Sequence, residues 1–151
     1  MAKPFTFRPQ TLLKLRKRQQ DESCGAVEQC RLAVSAIEDD MAALSNARKA
    51  FDAAARAAIS HGQADSARAY GALSAQADGS IRQHAARLRQ AQADLAQKRA
   101  DLLAAMRSRK ALESLRDKLL ARFRSQSQRR ATKELDDAHA SGASSRRNAG
   151  F

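Results

Sequence analysis

From Val27 to Ala58, apolar side chains recur at alternating steps of three and four: Val27, Cys30, Val34, Ile37, Met41, Leu44, Phe51, Ala55 and Ala58. Arg48 alone interrupts the series. A helix of 3.6 residues per turn gathers such positions into one stripe, and a stripe of strict 3-4 spacing is a seam that another helix covers. The segment is therefore expected to be half of a coiled coil. Upstream, Leu12, Leu13 and Leu15 belong to the same helix, but Gln20 and Ser23 fall at the extrapolated seam. The register slips near Gly25, where a bend or loosened packing is expected.

A second seam is set by Ile81, Leu88, Leu95 and Leu102, each seven residues after the last, with Ala85 and Met106 at intermediate sites. Leu112 and Leu119 resume the step after a gap of ten residues, which amounts to a three-residue stammer and local overwinding. No proline follows Pro9, so nothing forbids two uninterrupted helices. Between the two seams lies Ser60-His61-Gly62-Gln63-Ala64-Asp65-Ser66. Gly62 can close one helix in the left-handed conformation, and Asp65 or Ser66 can cap the start of the next.

So short a connection makes the helices antiparallel neighbours. The expected plan is all-α, with a lead-in over 1–10, an antiparallel coiled-coil hairpin over 11–139 and a disordered tail over 140–151. Helix one runs from about Thr11 to Ser60 and helix two from about Ser66 to His139, so the second overhangs the first. The tail, rich in Ser, Gly, Arg and Asn, is too polar and small to bury anything. Gly71 and Gly79 are weak points early in helix two.

Composition agrees with this plan. Of the residues counted as hydrophobic, 34 are alanines, which leaves 31 larger apolar side chains, one Tyr and no Trp. That is thin for a globular core but well suited to helices, since Ala and straight-chain residues lose little side-chain freedom there. An all-β domain, an α/β nucleotide fold and a disulfide scaffold are excluded. No stretch reaches the roughly 18 apolar residues of a membrane span, and no apolar leader opens the chain, so a cytoplasmic location without membrane insertion is expected. Cys24 and Cys30 point in directions too different to bridge and are read as reduced thiols.

The net charge of +12 is unevenly spread. Residues 1–20 carry six basic side chains and no acid, and residues 111–130 carry six basic and two acidic. Antiparallel pairing brings these segments together at the end bearing both termini, while residues 21–60 hold seven acids against four bases. Arg48 has Asp78 as a possible partner across the seam, or it bends outward to water. Runs such as Lys14, Arg16, Lys17, Arg18 and Arg122, Arg124, Arg129, Arg130 can be a solvated face. They can also await a partner of opposite sign, acidic protein or nucleic acid.

Chemistry is harder to find. His61, His84 and His139 are scattered, with no Cys, Asp or Glu at metal-ligand spacing, so neither metal nor cofactor is expected. Paired helices offer no enclosed pocket for catalysis, and no glycine-rich phosphate loop occurs. The chain is read as a non-enzyme. Phe5, Phe7 and Phe123 lie near the basic end; they can seal the seam there or stack on bases.

The opening Lys3-Pro4-Phe5-Thr6-Phe7-Arg8, then Gln10-Thr11-Leu12-Leu13-Lys14-Leu15-Arg16-Lys17-Arg18, together with Ile81-Arg82-Gln83-His84 and the run Arg109-Lys110-Ala111-Leu112-Glu113-Ser114-Leu115-Arg116-Asp117-Lys118, resembles the FliJ family of flagellar type III export proteins. The similarity covers roughly residues 3–138. It implies a non-enzymatic export component, shaped like the paired-helix stalk of a rotary ATPase and peripheral at the cytoplasmic face of the flagellar basal body. Its implied partners are a hexameric flagellar export ATPase, the cytoplasmic part of the export-gate membrane protein, and export chaperones, with no specific nucleic acid. For the ATPase the implied contacts are Phe5, Phe7, Leu12, Leu15, Arg16, Arg18, Arg122 and Phe123; for the gate, Leu44, Phe51, Leu73 and His84. Leu44 and Phe51 also fall on the internal seam, where they can be core. The alternative function is a basic coiled-coil nucleic-acid-binding protein.

Overall fold

A computed structural model describes residues 5–148, and the side chains of residues 5–140. Helix α1 spans Gln10–Ser60 and helix α2 spans Ala64–Asn148. They pack against each other as an antiparallel hairpin, without strands among the described residues. Contacts divide the chain into two compact units, Met1–Arg18 with Met106–Phe151, and Gln19–Ala105.

The turn forms as its sequence dictates. Gly62 takes φ +70°, and its N–H donates to the Ile59 carbonyl at 3.1 Å while the Gln63 N–H reaches the Ala58 carbonyl at 2.9 Å. These are the paired 5→2 and 6→1 bonds of a Schellman cap, which satisfy carbonyls that α1 leaves open. The expected capping role of Asp65 or Ser66 is corrected. Ala67 N–H already donates to the Gln63 carbonyl at 3.0 Å, so Gln63 is the boundary residue and Asp65 lies in the first turn. There its carboxylate faces the positive end of the helix dipole.

In the unit Gln19–Ala105, pairing runs antiparallel through Arg48 with Asp78 and through Asp52 with Ser74. Every expected seam residue from Val27 to Ala58 is buried or half-buried except Arg48, whose side chain is 47% exposed. Its guanidinium stays at the seam edge, 3.0 Å from Asp78 and 3.8 Å from Asp52, and Asp52 accepts a 2.6 Å bond from the buried Ser74 hydroxyl. Four polar groups thus complete one another across the two helices. Near Gly25 α1 continues unbroken, but the seam is polar: Gln19, Gln20 and Ser23 are half-buried, and Gln20 Oε1 is buried without a hydrogen-bond partner. The Ser23 hydroxyl turns back to the Gln19 carbonyl at 2.9 Å.

In the unit that holds the chain's start, Phe7 and Leu13 are the buried apolar residues. The stammer is absorbed without a break in α2: Leu102, Ala105, Met106, Arg109, Leu112 and Glu113 all keep partial burial. From Gln128 to Ala140 every residue of α2 is exposed. The helical backbone then continues to Asn148, past the expected end at His139, since Ser141–Arg147 contains no proline to stop it. Of the tail expected over 140–151, residues 149–151 and the side chains from 141 onward lie outside the described residues, as do residues 1–4 of the lead-in.

Candidate docking surfaces

At the start of the chain, Pro9 cannot donate a backbone hydrogen bond, so the helix begins beside it at no cost: the Leu13 N–H already reaches the Pro9 carbonyl at 2.9 Å. Gln10 N–H closes the preceding bend onto the Phe7 carbonyl at 3.0 Å. That bend carries the Phe7 ring inward, to 7% exposure. Phe5 meets Phe123 of α2 with ring centroids 5.6 Å apart and planes tilted by 51°, a geometry aromatic pairs favour. The three rings therefore lie at the helix–helix junction, with Phe7 in the core.

Around them opens a groove of about 710 Å³, lined by Phe5, Phe7, Pro9, Leu119 and Phe123 together with Thr6, Gln126 and two cations, Arg8 and Arg122. Among the other expected ATPase contacts, Leu12 and Leu15 are 41% and 48% exposed, and Arg18 is exposed. Arg16 is half-buried and engaged within the structure. In the sequence Leu119 reads only as a seam residue, and Arg8 and the exposed Leu115 are not among the expected contacts. Arg8 reads there as one cation among six, and Leu115 falls off the seven-residue step.

The other unit holds the four residues expected at the gate. Leu44 and His84 line one shallow groove of about 430 Å³ together with Asp40, Ala43 and Ala47. His84 is held from both sides, with Nδ1 2.9 Å from the Ser80 carbonyl and Nε2 3.8 Å from the Asp40 carboxylate. Phe51 is half-buried on the seam, and Leu73 is exposed; neither lines the groove with His84. Asp40, Ala43 and Ala47 escaped the sequence reading, because a methyl or an exposed acid off the seam carries no periodic signal.

Among the described residues no three His, Cys, Asp or Glu side chains gather to hold a metal ion, and no helix is long and apolar enough to cross a membrane. Cys24 and Cys30 are free thiols. Both surfaces are shallow, and each joins apolar side chains to a few charged ones, which suits contact with protein. Comparison with protein families gives a match to the family described as Flagellar FliJ protein, over residues 6–149.

The chain belongs to the FliJ family.

The match takes in α1, the turn and all of α2, so FliJ membership rests on the whole hairpin rather than on one segment. It makes the protein a component of the flagellar export apparatus. No curated protein and no solved structure matches the chain.

Proposed function

We propose that this FliJ-family protein acts without catalysis as the stalk of the export machinery, inserting its two-terminus end into the hexameric export ATPase and promoting its activity. The observation that carries this reading is the opening segment: six cations and no acid over residues 1–20, with Leu12 and Leu15 left in water beside an aromatic groove. Cations concentrated in one segment raise the rate of encounter with an acidic partner, and exposed leucines supply the contact that holds it. The unit Gln19–Ala105 carries the second role, contact with the cytoplasmic part of the export gate and with chaperones, through Leu44, Phe51, Leu73 and His84. On this reading the protein works at the cytoplasmic face of the basal body.

The test is hydrolysis by the cognate hexamer in the presence of the purified chain. A saturable rise in rate is expected, and Arg16→Glu with Arg18→Glu raises the concentration needed for half of that effect while helix content by circular dichroism stays unchanged. A rate that does not respond over a wide concentration range refutes the reading.

A further inference from the structure

We infer that the terminal unit docks through one flank only, and that this flank takes an apolar surface bordered by carboxylates. The inference rests on the stalk reading above and specifies which side of the paired helices makes the contact. Leu13 is buried at 7% exposure and marks the inward direction of α1. Successive residues rotate by about 100° around a helix, so Leu12 and Lys14 stand on opposite flanks of the pair. Leu15 follows Leu12 by three and shares its flank; Lys17 follows Lys14 by three and shares the other. On α2, Leu119 and Arg122 line the aromatic groove, and Leu115, one turn before Leu119, extends the same side. Arg8 and Pro9 line that groove from the bend just before α1, and the Pro9 carbonyl accepts from the Leu13 N–H in the first turn of the helix. The groove therefore runs into a stripe of Leu12, Leu15 and Leu115, whose exposures are 41%, 48% and 43%.

The charges on this flank are of one sign. Arg8 and Arg122 border the groove, and the exposed Lys118 stands one turn beyond Leu115. The acids of this stretch are engaged elsewhere: Glu113 lies 3.7 Å from Arg109, and Asp117 pairs with the adjacent Arg116 at 3.2 Å. Three leucines in water and an aromatic groove whose charged lining residues are both arginines fit a partner surface of opposite pattern, apolar with carboxylates at its edge. The other flank offers Lys14 and Lys17 without an exposed leucine beside them on α1.

The experiment places a photo-reactive side chain at position 12, 15 or 115, or at 14 or 17, in the full chain, and irradiates it with the hexameric ATPase. Cross-links are expected from the first three positions and not from the last two. In parallel, Leu15→Gln with Leu115→Gln should raise the half-saturating concentration for stimulation by roughly tenfold or more, since the apolar burial that half-exposed leucines gain on docking is forfeited. Lys14→Gln with Lys17→Gln should stay within about threefold, the loss expected from weakened long-range attraction. Both pairs replace exposed side chains, and helix content serves as the folding check. If wild type stimulates the ATPase but both flanks cross-link equally, or the leucine pair behaves as wild type, one-flank docking is overturned and the stalk reading stands. If wild type neither stimulates nor cross-links, both are overturned together.

Discussion

Gly62 and Gly79 carry the same substitution with opposite expected signs, and that opposition tests whether the chain doubles back. At Gly62 the backbone has φ +70°, while nothing lies within 4 Å of where a Cβ would stand. Gly62→Ala therefore meets no clash, only the cost of holding an L-residue in the left-handed region, about 1–2 kcal/mol. The narrower unfolded ensemble of Ala offsets part of this, leaving a loss of about 1 kcal/mol. At Gly79 the surroundings are equally open but the residue is inside α2, so Gly79→Ala gains about 0.5–1 kcal/mol of helix propensity. In thermal unfolding by circular dichroism, midpoints should move by roughly 2–4 °C per kcal/mol, downward at Gly62 and upward at Gly79. Gly62→Asn should fall less than Gly62→Ala, because Asn tolerates the left-handed region. A midpoint that rises for Gly62→Ala, as it does for Gly79→Ala, would mean that residue 62 sits in an ordinary helix. The Schellman closure, the hairpin and the shared cationic end would then all be lost.

The polar group set at the seam gives two more expectations. Ser74→Ala removes a buried hydroxyl that donates to Asp52 at 2.6 Å and should cost about 1 kcal/mol, the carboxylate being open enough to recover water. Asp78→Ala should cost only about 0.5 kcal/mol, because the Arg48–Asp78 pair is partly solvated, and high salt should erase the difference between variant and wild type. On the surface, Arg31 donates to Glu28 at 2.9 and 2.7 Å, and this hydrogen bonding holds the Glu28 carboxyl below its ordinary value and the Arg31 guanidinium above its own. The contribution of the pair is complete above the ordinary carboxylate pKa and disappears as pH falls through the depressed one. In a carbon-13 titration Glu28 should therefore titrate lower than in an Arg31→Gln chain, and equal values would show the pair to be absent in solution.

The fold was legible because its signals repeat. The seams of Val27–Ala58 and Ile81–Leu102 reappear as the half-buried stripes, and Gly62 closes α1 where the seams change over. Local choices among equals were less legible. Leu12, Leu13 and Leu15 are chemically alike in the sequence, and only pairing with α2 turns Leu13 inward and leaves its two neighbours in water. The register that does so passes through Pro9, Leu13, Arg16 and Gln20, a half-polar row that no hydrophobic pattern reveals. The caps suffered from the same ambiguity: Asp65 and Ser66 have the right chemistry, but the Gln63 carbonyl already accepts from the Ala67 N–H, so the chain re-enters helix too soon for either to cap it. Leu44 and Phe51 have the same spacing signal, yet one lines a groove with His84 and the other does not, a distinction that periodicity does not carry.

The two units bury their seams with different materials, and this bears on what each can do. The unit Gln19–Ala105 closes on Leu95 and on the small Ala58 and Ala77, and it completes its seam-edge charges through Ser74, Asp52, Arg48 and Asp78. The unit with the chain's start closes on Phe7 and Leu13, but places Arg16, Arg109, Glu113 and Arg116 at half-buried positions. Arg109 Nε is buried and finds a carboxylate only at 3.7 Å, beyond hydrogen-bond reach. The Arg109 guanidinium so placed loses part of its hydration without a full hydrogen bond in return, which weakens the packing beside it. A partner that covers Leu12, Leu15 and Leu115 would exclude water from the same stretch, strengthening the Arg109–Glu113 attraction as it buries the leucines. The arrangement that costs stability in the free chain thus becomes favourable on docking. Under the stalk reading, docking is therefore expected to stabilise the terminal unit, which a rise in its thermal midpoint on adding the ATPase would register.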